Sequence, residues 1–173
     1  MPVASFQSRI YAFLIDYVLI ASYGVLVVGG ISFLLWTDME RLFSESPAIA
    51  QLLGFFMMTL PVSLYFIISE QSSWQGSWGK RVLGLHVINK AGGRIGVFQS
   101  AIRSAVKFLP WEIAHFGIWR LVMPTDFPEG AALFALSAAN LTAIAYLVFP
   151  LFNEKRKNIY DMAAGTTVIV KNE

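Results

Sequence analysis

No cysteine occurs anywhere in the 173 residues. A disulfide framework, a thiolate nucleophile and a cysteine-ligated metal are therefore excluded. Charge is scarce too: Asp, Glu, Lys and Arg make up 14% of the chain, against about a quarter in soluble domains. Most of the chain is apolar, with 56% hydrophobic residues. That balance describes an integral membrane protein. There is little room for a soluble domain and no long internal repeat, so residues 1–173 read as a single transmembrane domain. The formal net charge of +2 says less than its distribution.

Asp16 is the sole charged residue between Arg9 and Asp38, inside the apolar run Ile10 to Trp36. A membrane-crossing helix needs about 20 predominantly apolar residues, which this run supplies. A carboxylate there costs about 2.5–3.5 kcal/mol on insertion scales, so a partner, a water-filled cavity or an ion must offset it. Asp16 also interrupts any signal-peptide core, and no small-residue cleavage site follows, so the first span is expected to stay as an anchor. That span covers about Ile10 to Leu35. Asp38, Glu40 and Glu45 follow, with Arg41 alone opposing them. Ser46-Pro47 reads as a helix cap with proline at the first helical position. The second span runs from about Ala48 to Ile68, and Pro61 in its interior predicts a kink.

From Glu70 to about Gly96 the chain turns to Gly, Ser, Lys and Arg. Val82 to Ile88 is too short to cross as a helix and reads as a strand or an interfacial segment, with Ala91-Gly92-Gly93 as a turn. From Val97 a helical pattern sets in: Val97, Phe98, Ala101, Ile102, Ala105, Phe108 and Leu109 share an apolar face, while Arg103 and Lys107 recur at i,i+4. This describes a basic amphipathic element at a membrane surface, or the cytoplasmic end of a span. The third apolar segment, Ile102 to Val122, holds Glu112 and His115 and is interrupted by Pro110. The last, Ala131 to Leu151, carries Ala131, Ala135, Ala139 and Ala143 as a ridge that predicts a helix-packing face.

Basic residues mark the cytoplasmic side. Lys80, Arg81, Lys90, Arg94, Arg103 and Lys107 lie between the second and third segments, and Lys155, Arg156, Lys157 and Lys171 follow the last. The other two connections hold Arg41 and Arg120. Four spans place both termini and the basic loop in the cytoplasm, whereas three would export Lys155-Arg156-Lys157. The expected fold is thus an all-α membrane protein with four transmembrane helices, a basic cytoplasmic loop, an amphipathic interfacial element and both termini inside. A bacterial cytoplasmic (inner) membrane is the expected location.

Arg9 and Asp16 stand two helical turns apart, about 10 Å along one face. Asp161 follows the basic cluster on the same predicted side, so the three charges can form one cluster. Arg9-Ile-Tyr-Ala-Phe-Leu-Ile-Asp16 resembles the opening motif of the RDD family, small membrane proteins named for one arginine and two aspartates. Gly79-Lys80-Arg81-Val82-Leu83-Gly84-Leu85-His86-Val87 resembles that family's central loop. Asn153-Glu154-Lys155-Arg156-Lys157-Asn158-Ile159-Tyr160-Asp161-Met162-Ala163-Ala164-Gly165-Thr166 resembles its C-terminal motif. Two positions depart from the pattern, Ser77-Trp78 before the Gly-Lys pair and Tyr160 where histidine is common. Carried over by position, the family's arginine is Arg9 and its aspartates are Asp16 and Asp161. The resemblance implies a membrane fold, and transport, including cation/proton exchange for some members, has been proposed for the family.

Each of these residues also has a plainer use. Asp16 is a proton- or cation-binding carboxylate, or an ion pair that fixes the bundle. Asp161 can cap the amides of Met162-Ala163-Ala164 or pair with Lys157, and Arg9 can serve as a positive-inside anchor. Glu112 and His115 form a Glu-x-x-His pair, but di-metal bundles need two copies and further glutamates, so no metal is expected. A polar stripe or proton path suits this pair better. Asn140, mid-span, reads as interhelical glue. Gly79-Lys80 lacks the Ser/Thr of a phosphate loop. Lys80, Arg81, Arg103 and Lys107 are instead expected to contact anionic lipid head groups. Trp36, Trp74, Trp78 and Trp119 fall near predicted interfaces.

No enzyme site assembles from what remains, and no cofactor or nucleic-acid partner is expected. The leading expectation is transport of small ions or solutes, with cation/proton exchange as the specific form. In it Asp16 titrates, Arg9 competes for it and Asp161 offers Arg9 a second partner. So small a transporter is expected to be a homo-oligomer. The alternative is a scaffold or assembly factor in which the three charges lock the helices.

Overall fold

The computed structural model describes residues 2–171. It is mostly helical, and among the described residues three helices are long and apolar enough to cross a membrane: α1 (Phe6–Leu34), α3 (Pro47–Gln71) and α6 (Glu129–Leu151). At about 1.5 Å per residue each exceeds a hydrocarbon core of about 30 Å. Large apolar side chains such as Leu26, Phe33, Leu34 and Phe134 point outward, while Asp16, Glu70, Arg103 and Asp161 are buried. A water-soluble chain sorts its residues the other way.

Between the first two spans lies α2 (Trp36–Glu45). As the sequence predicts, Ser46 then caps α3 by accepting the Ile49 amide, with Pro47 in the first turn. The basic element and the third apolar segment prove to be one helix, α5 (Val97–Val122), unbroken through Pro110. Its 26 residues suffice to cross, but Arg103, Lys107, Glu112 and Arg120 lower its apolarity. Two short helices, α4 (Trp78–Val82) and α7 (Ile159–Ala163), flank the strands β1 (Leu85–Asn89) and β2 (Thr166–Val170). The fold therefore has a small sheet that the all-α expectation lacks. Leu85–Asn89 is extended because it finds a partner some 80 positions away in sequence, pairing antiparallel with Val87 opposite Val168.

Proline inside a helix deprives the carbonyl four residues earlier of its donor. In α5, Pro110 does this to Val106, whose carbonyl accepts the Tyr146 hydroxyl at 2.8 Å. In α3, Pro61 does it to Met57, whose carbonyl accepts the Tyr23 hydroxyl at 2.8 Å. Ahead of Pro61 the helix widens into a π segment, Phe55–Thr59, and α1 has another at Gly24–Val28. The two π segments pack together, and a Cβ at Gly24 would touch the Met58 side chain at 3.5 Å.

The chain forms two compact units. The first comprises Met1–Ile20, Val62–Lys107 and Ala145–Glu173. Its core gathers Ala4, Ala12, Leu85, Val87, Ile95 and Val168 around the sheet, and the Ala4 amide extends the pairing by donating to the Val168 carbonyl. The second comprises Ala21–Pro61 and Phe108–Ile144. There α5 and α6 approach so closely that a Cβ at Gly117 would stand 2.8 Å from the Ala132 carbonyl oxygen. The buried small residues of α6 are Ala132 and Ala139, whereas Ala131 and Ala143 are exposed. The predicted ridge thus packs in part: Ala139 is buried and Ala135 half-buried, while Ala132 rather than Ala131 completes the face.

Candidate functional site

Asp16 does not bond to Arg9. Its carboxylate receives the Tyr65 hydroxyl at 3.0 Å, the Ser77 hydroxyl at 2.5 Å and the Gly79 amide at 2.8 Å. Ser77 and Gly79 sit at the start of α4, where backbone N–H groups lack helical acceptors and negative charge is favoured. Asp16 thus caps that short helix from a distant part of the chain. Tyr65 completes the arrangement, since its oxygen also accepts the Trp78 amide at 2.8 Å. Gly79 has to be glycine here: a Cβ would overlap the Ala12 carbonyl and stand 3.0 Å from the Asp16 carboxyl carbon.

A second cluster is centred on Arg103, which the sequence pattern assigns to lipid head groups rather than to a buried charge network. Its Nε donates to Glu70 at 2.7 Å and its Nη1 to Asp161 and to Thr166 Oγ1, the latter at 2.8 Å. Arg9 joins by donating to the other Asp161 oxygen at 2.9 Å. That oxygen also accepts the Asn158 amide, because Asn158 and Asp161 form the capping box of α7. The family resemblance thus draws together Arg9 and Asp161, while Asp16 stands apart with its own donors. Arg9 is incompletely used: its Nε is buried without a hydrogen-bond partner.

Lys80 and Lys107 also turn inward. Lys80 reaches Glu70 at 3.0 Å and Lys107 reaches it at 3.5 Å, with Lys107 also lying over the Phe66 ring at 3.7 Å. Lys80, Arg103 and Lys107 are therefore ion-paired inside the protein, which corrects the expectation that they face lipid head groups. Four cationic side chains gather on two carboxylates, Glu70 and Asp161. Arg81 differs: it is exposed and lies over the Trp74 ring at 4.3 Å, beside a shallow apolar groove lined by Leu19, Tyr65, Trp78 and Val82.

In the other unit, Glu112 accepts the Thr59 hydroxyl at 2.6 Å. His115 is turned from it, its Nδ1 bonding to the Trp111 carbonyl at 2.9 Å. Asn140 donates to Leu136 of its own helix at 2.8 Å and is exposed, so its amide bridges no second helix there. Outside the membrane-length helices, burial holds His86 below the usual histidine pKa, with Lys171 adding to the effect. Burial likewise lowers Lys157, helped by Lys155, Lys90 and Arg9.

Glu70, Tyr65, Ser77 and Thr59 were missed as site residues. Glu70 carried the clearest signal, an acid ending an apolar run ahead of a strongly basic stretch.

The sequence model of the RDD family matches residues 3–165, nearly the whole chain. The protein belongs to the RDD family. No curated protein and no solved structure matches it. In this RDD protein Arg9 and Asp161 form a direct ion pair, and both are tied through Asp161 to Arg103.

Proposed function

We propose that this RDD protein transports a small ion or solute across a bacterial cytoplasmic membrane, with cation/proton exchange as the specific activity. The observation behind this reading is that Asp161 is shared by two guanidiniums, Arg9 and Arg103, while Arg103 also holds Glu70. In this reading the cluster has a second arrangement, in which a guanidinium is traded between carboxylates while every buried acid keeps a partner. Alternating access requires a bistable element of this kind. The unpartnered Nε of Arg9 supports its role as the traded group. Asp16, with three fixed donors, holds the basic loop against α1 instead.

The proposal includes four spans, α5 being the third, with both termini cytoplasmic. It includes contact of Arg81 with anionic lipid head groups, where charge near the surface contributes about 1 kcal/mol per basic residue. It also includes a homo-oligomer and no chemical catalysis. Because the chain has no native cysteine, single cysteines at Asp38, Arg94, Glu129 and Lys155 report sidedness directly. Four spans require labelling of the Arg94 and Lys155 positions from inside and of the other two from outside.

The activity is tested by adding sodium, potassium or lithium to proteoliposomes containing a pH-sensitive dye. Cation-dependent proton movement is expected; silence from folded, correctly oriented protein contradicts exchange. That silence would favour a scaffold or assembly factor, a reading supported by the close satisfaction of Asp16, Glu70 and Asp161 within the protein.

A further inference from the structure

Three of the chain's interior carboxylates have their charge met. Asp16 receives three hydrogen bonds, Glu70 receives Lys80, Arg103 and Lys107, and Asp161 receives Arg9 and Arg103. Glu112, which is half-buried rather than buried, differs. Among the described residues no basic side chain pairs with it, and its one hydrogen bond comes from the neutral Thr59 hydroxyl at 2.6 Å. Three other polar groups of the same unit have partners of their own. His115 faces the Trp111 carbonyl, Tyr23 is committed to the Met57 carbonyl, and Arg120 donates to Gln51 and Phe116 and lies over the Phe116 ring. In the four-span reading, in which α5 crosses, a carboxylate there without a fixed counter-charge is met by a proton or by a mobile cation.

The backbone beside it is broken in a way that suits a cation. Thr59 ends the π segment Phe55–Thr59. The Leu60 amide that closes this segment reaches back to the Phe55 carbonyl and bypasses Phe56. Pro61, next in line, has no N–H. The Phe56 carbonyl therefore loses the donors that an α turn and a π turn would each supply. Irregular helix backbone at membrane depth persists where protein or a cavity shields it, and freed carbonyls there are available ligands. Carboxylate, hydroxyl and carbonyl oxygens are the donor set of a hard cation.

We propose that Glu112 and Thr59 form a binding site at which a monovalent metal cation and a proton compete. This deepens the exchange reading and rests on it for its physiological meaning. In one state the Glu112 carboxyl is protonated; in the other its carboxylate and Thr59 Oγ1 both face the cation. The cycle balances, since one proton leaves Glu112 for each monovalent cation that enters.

The test uses the full chain in liposomes and the reagent dicyclohexylcarbodiimide, which modifies protonated carboxyls in apolar surroundings. Modification of the Glu112 peptide is followed by mass spectrometry with and without sodium, potassium or lithium at fixed pH, with Glu129 as internal control. Several-fold protection of Glu112 by one of these cations is expected. Protection should vanish in Thr59→Val and persist in Thr59→Ser, both shown to be monodisperse. An unreactive Glu112, or reactivity indifferent to all three cations, overturns the site. Protection without proton movement by the wild type keeps the site and removes the exchange reading; proton movement without protection does the reverse.

Discussion

Arg103 donates its Nε hydrogen to Glu70 at 2.7 Å, and both side chains are almost wholly buried. Because the same guanidinium also holds Asp161, removing it strands two buried acids at once. Arg103→Leu should therefore cost at least the roughly 3–5 kcal/mol of one broken buried pair. Arg103→Lys should recover little, since one ammonium cannot reproduce the planar fork that serves both acids. Folded yield and thermal unfolding in detergent measure both effects.

Tyr65 should matter through its hydroxyl alone. Tyr65→Phe leaves Asp16 without one donor and the Trp78 amide without its acceptor. The expected loss is about 1.5–3 kcal/mol, the range for hydrogen bonds to charged groups. Combining it with Asp16→Asn should cost less than the sum of the two single changes. Strict additivity in the unfolding measurement would separate the two residues energetically.

The tyrosine that serves each proline gives a cleaner cycle. Tyr146→Phe should destabilise by about 1 kcal/mol, because the Val106 carbonyl loses its donor. In a Pro110→Ala background the helix supplies an N–H of its own, so the same change should cost markedly less. An equal cost in both backgrounds would disconnect the hydroxyl from the proline.

Gly79→Ala should disrupt the first unit. The added methyl meets the Ala12 backbone, with its carbonyl carbon at 2.9 Å, rather than a flexible side chain. The penalty should reach or exceed the 1–3 kcal/mol usual for overpacking. Unfolding temperatures of the two proteins check it.

The lowered pKa of His86 fixes the sign of one pH effect. The unfolded chain takes up a proton near pH 6.5, while the folded chain resists it to lower pH. Stability from this group is complete above that value and declines as pH falls below it. His86→Gln should flatten this part of the unfolding profile between pH 7.5 and 5.5, and an unchanged slope would exclude the histidine as its source.

Apolar length and patterning made the membrane-length helices legible, and the Ser46-Pro47 cap and the family motifs were equally plain. The inward turn of Arg103, Lys80 and Lys107 was not. Periodicity places a basic residue on a helix face but does not say whether a buried acid such as Glu70 waits opposite. Leu85–Asn89 stayed open between strand and interfacial segment because its partner, Thr166–Val170, is remote in sequence. Asp16 and Arg9 shared a predicted face, yet hydrogen bonding within α4 and α7 assigns them to different neighbours. Thr59 gave no signal at all, as a lone threonine in an apolar run is ordinary.

Arg9→Gln tests the central claim most directly. Asp161 would keep Arg103 and the Asn158 amide, so the variant should fold, with a monodisperse profile and an unfolding temperature near that of the wild type. Cation-driven proton movement in proteoliposomes should nevertheless be lost, because the guanidinium that trades partners is gone. Wild-type flux in the folded variant would contradict the account and leave the Arg9–Asp161 pair as a structural bond.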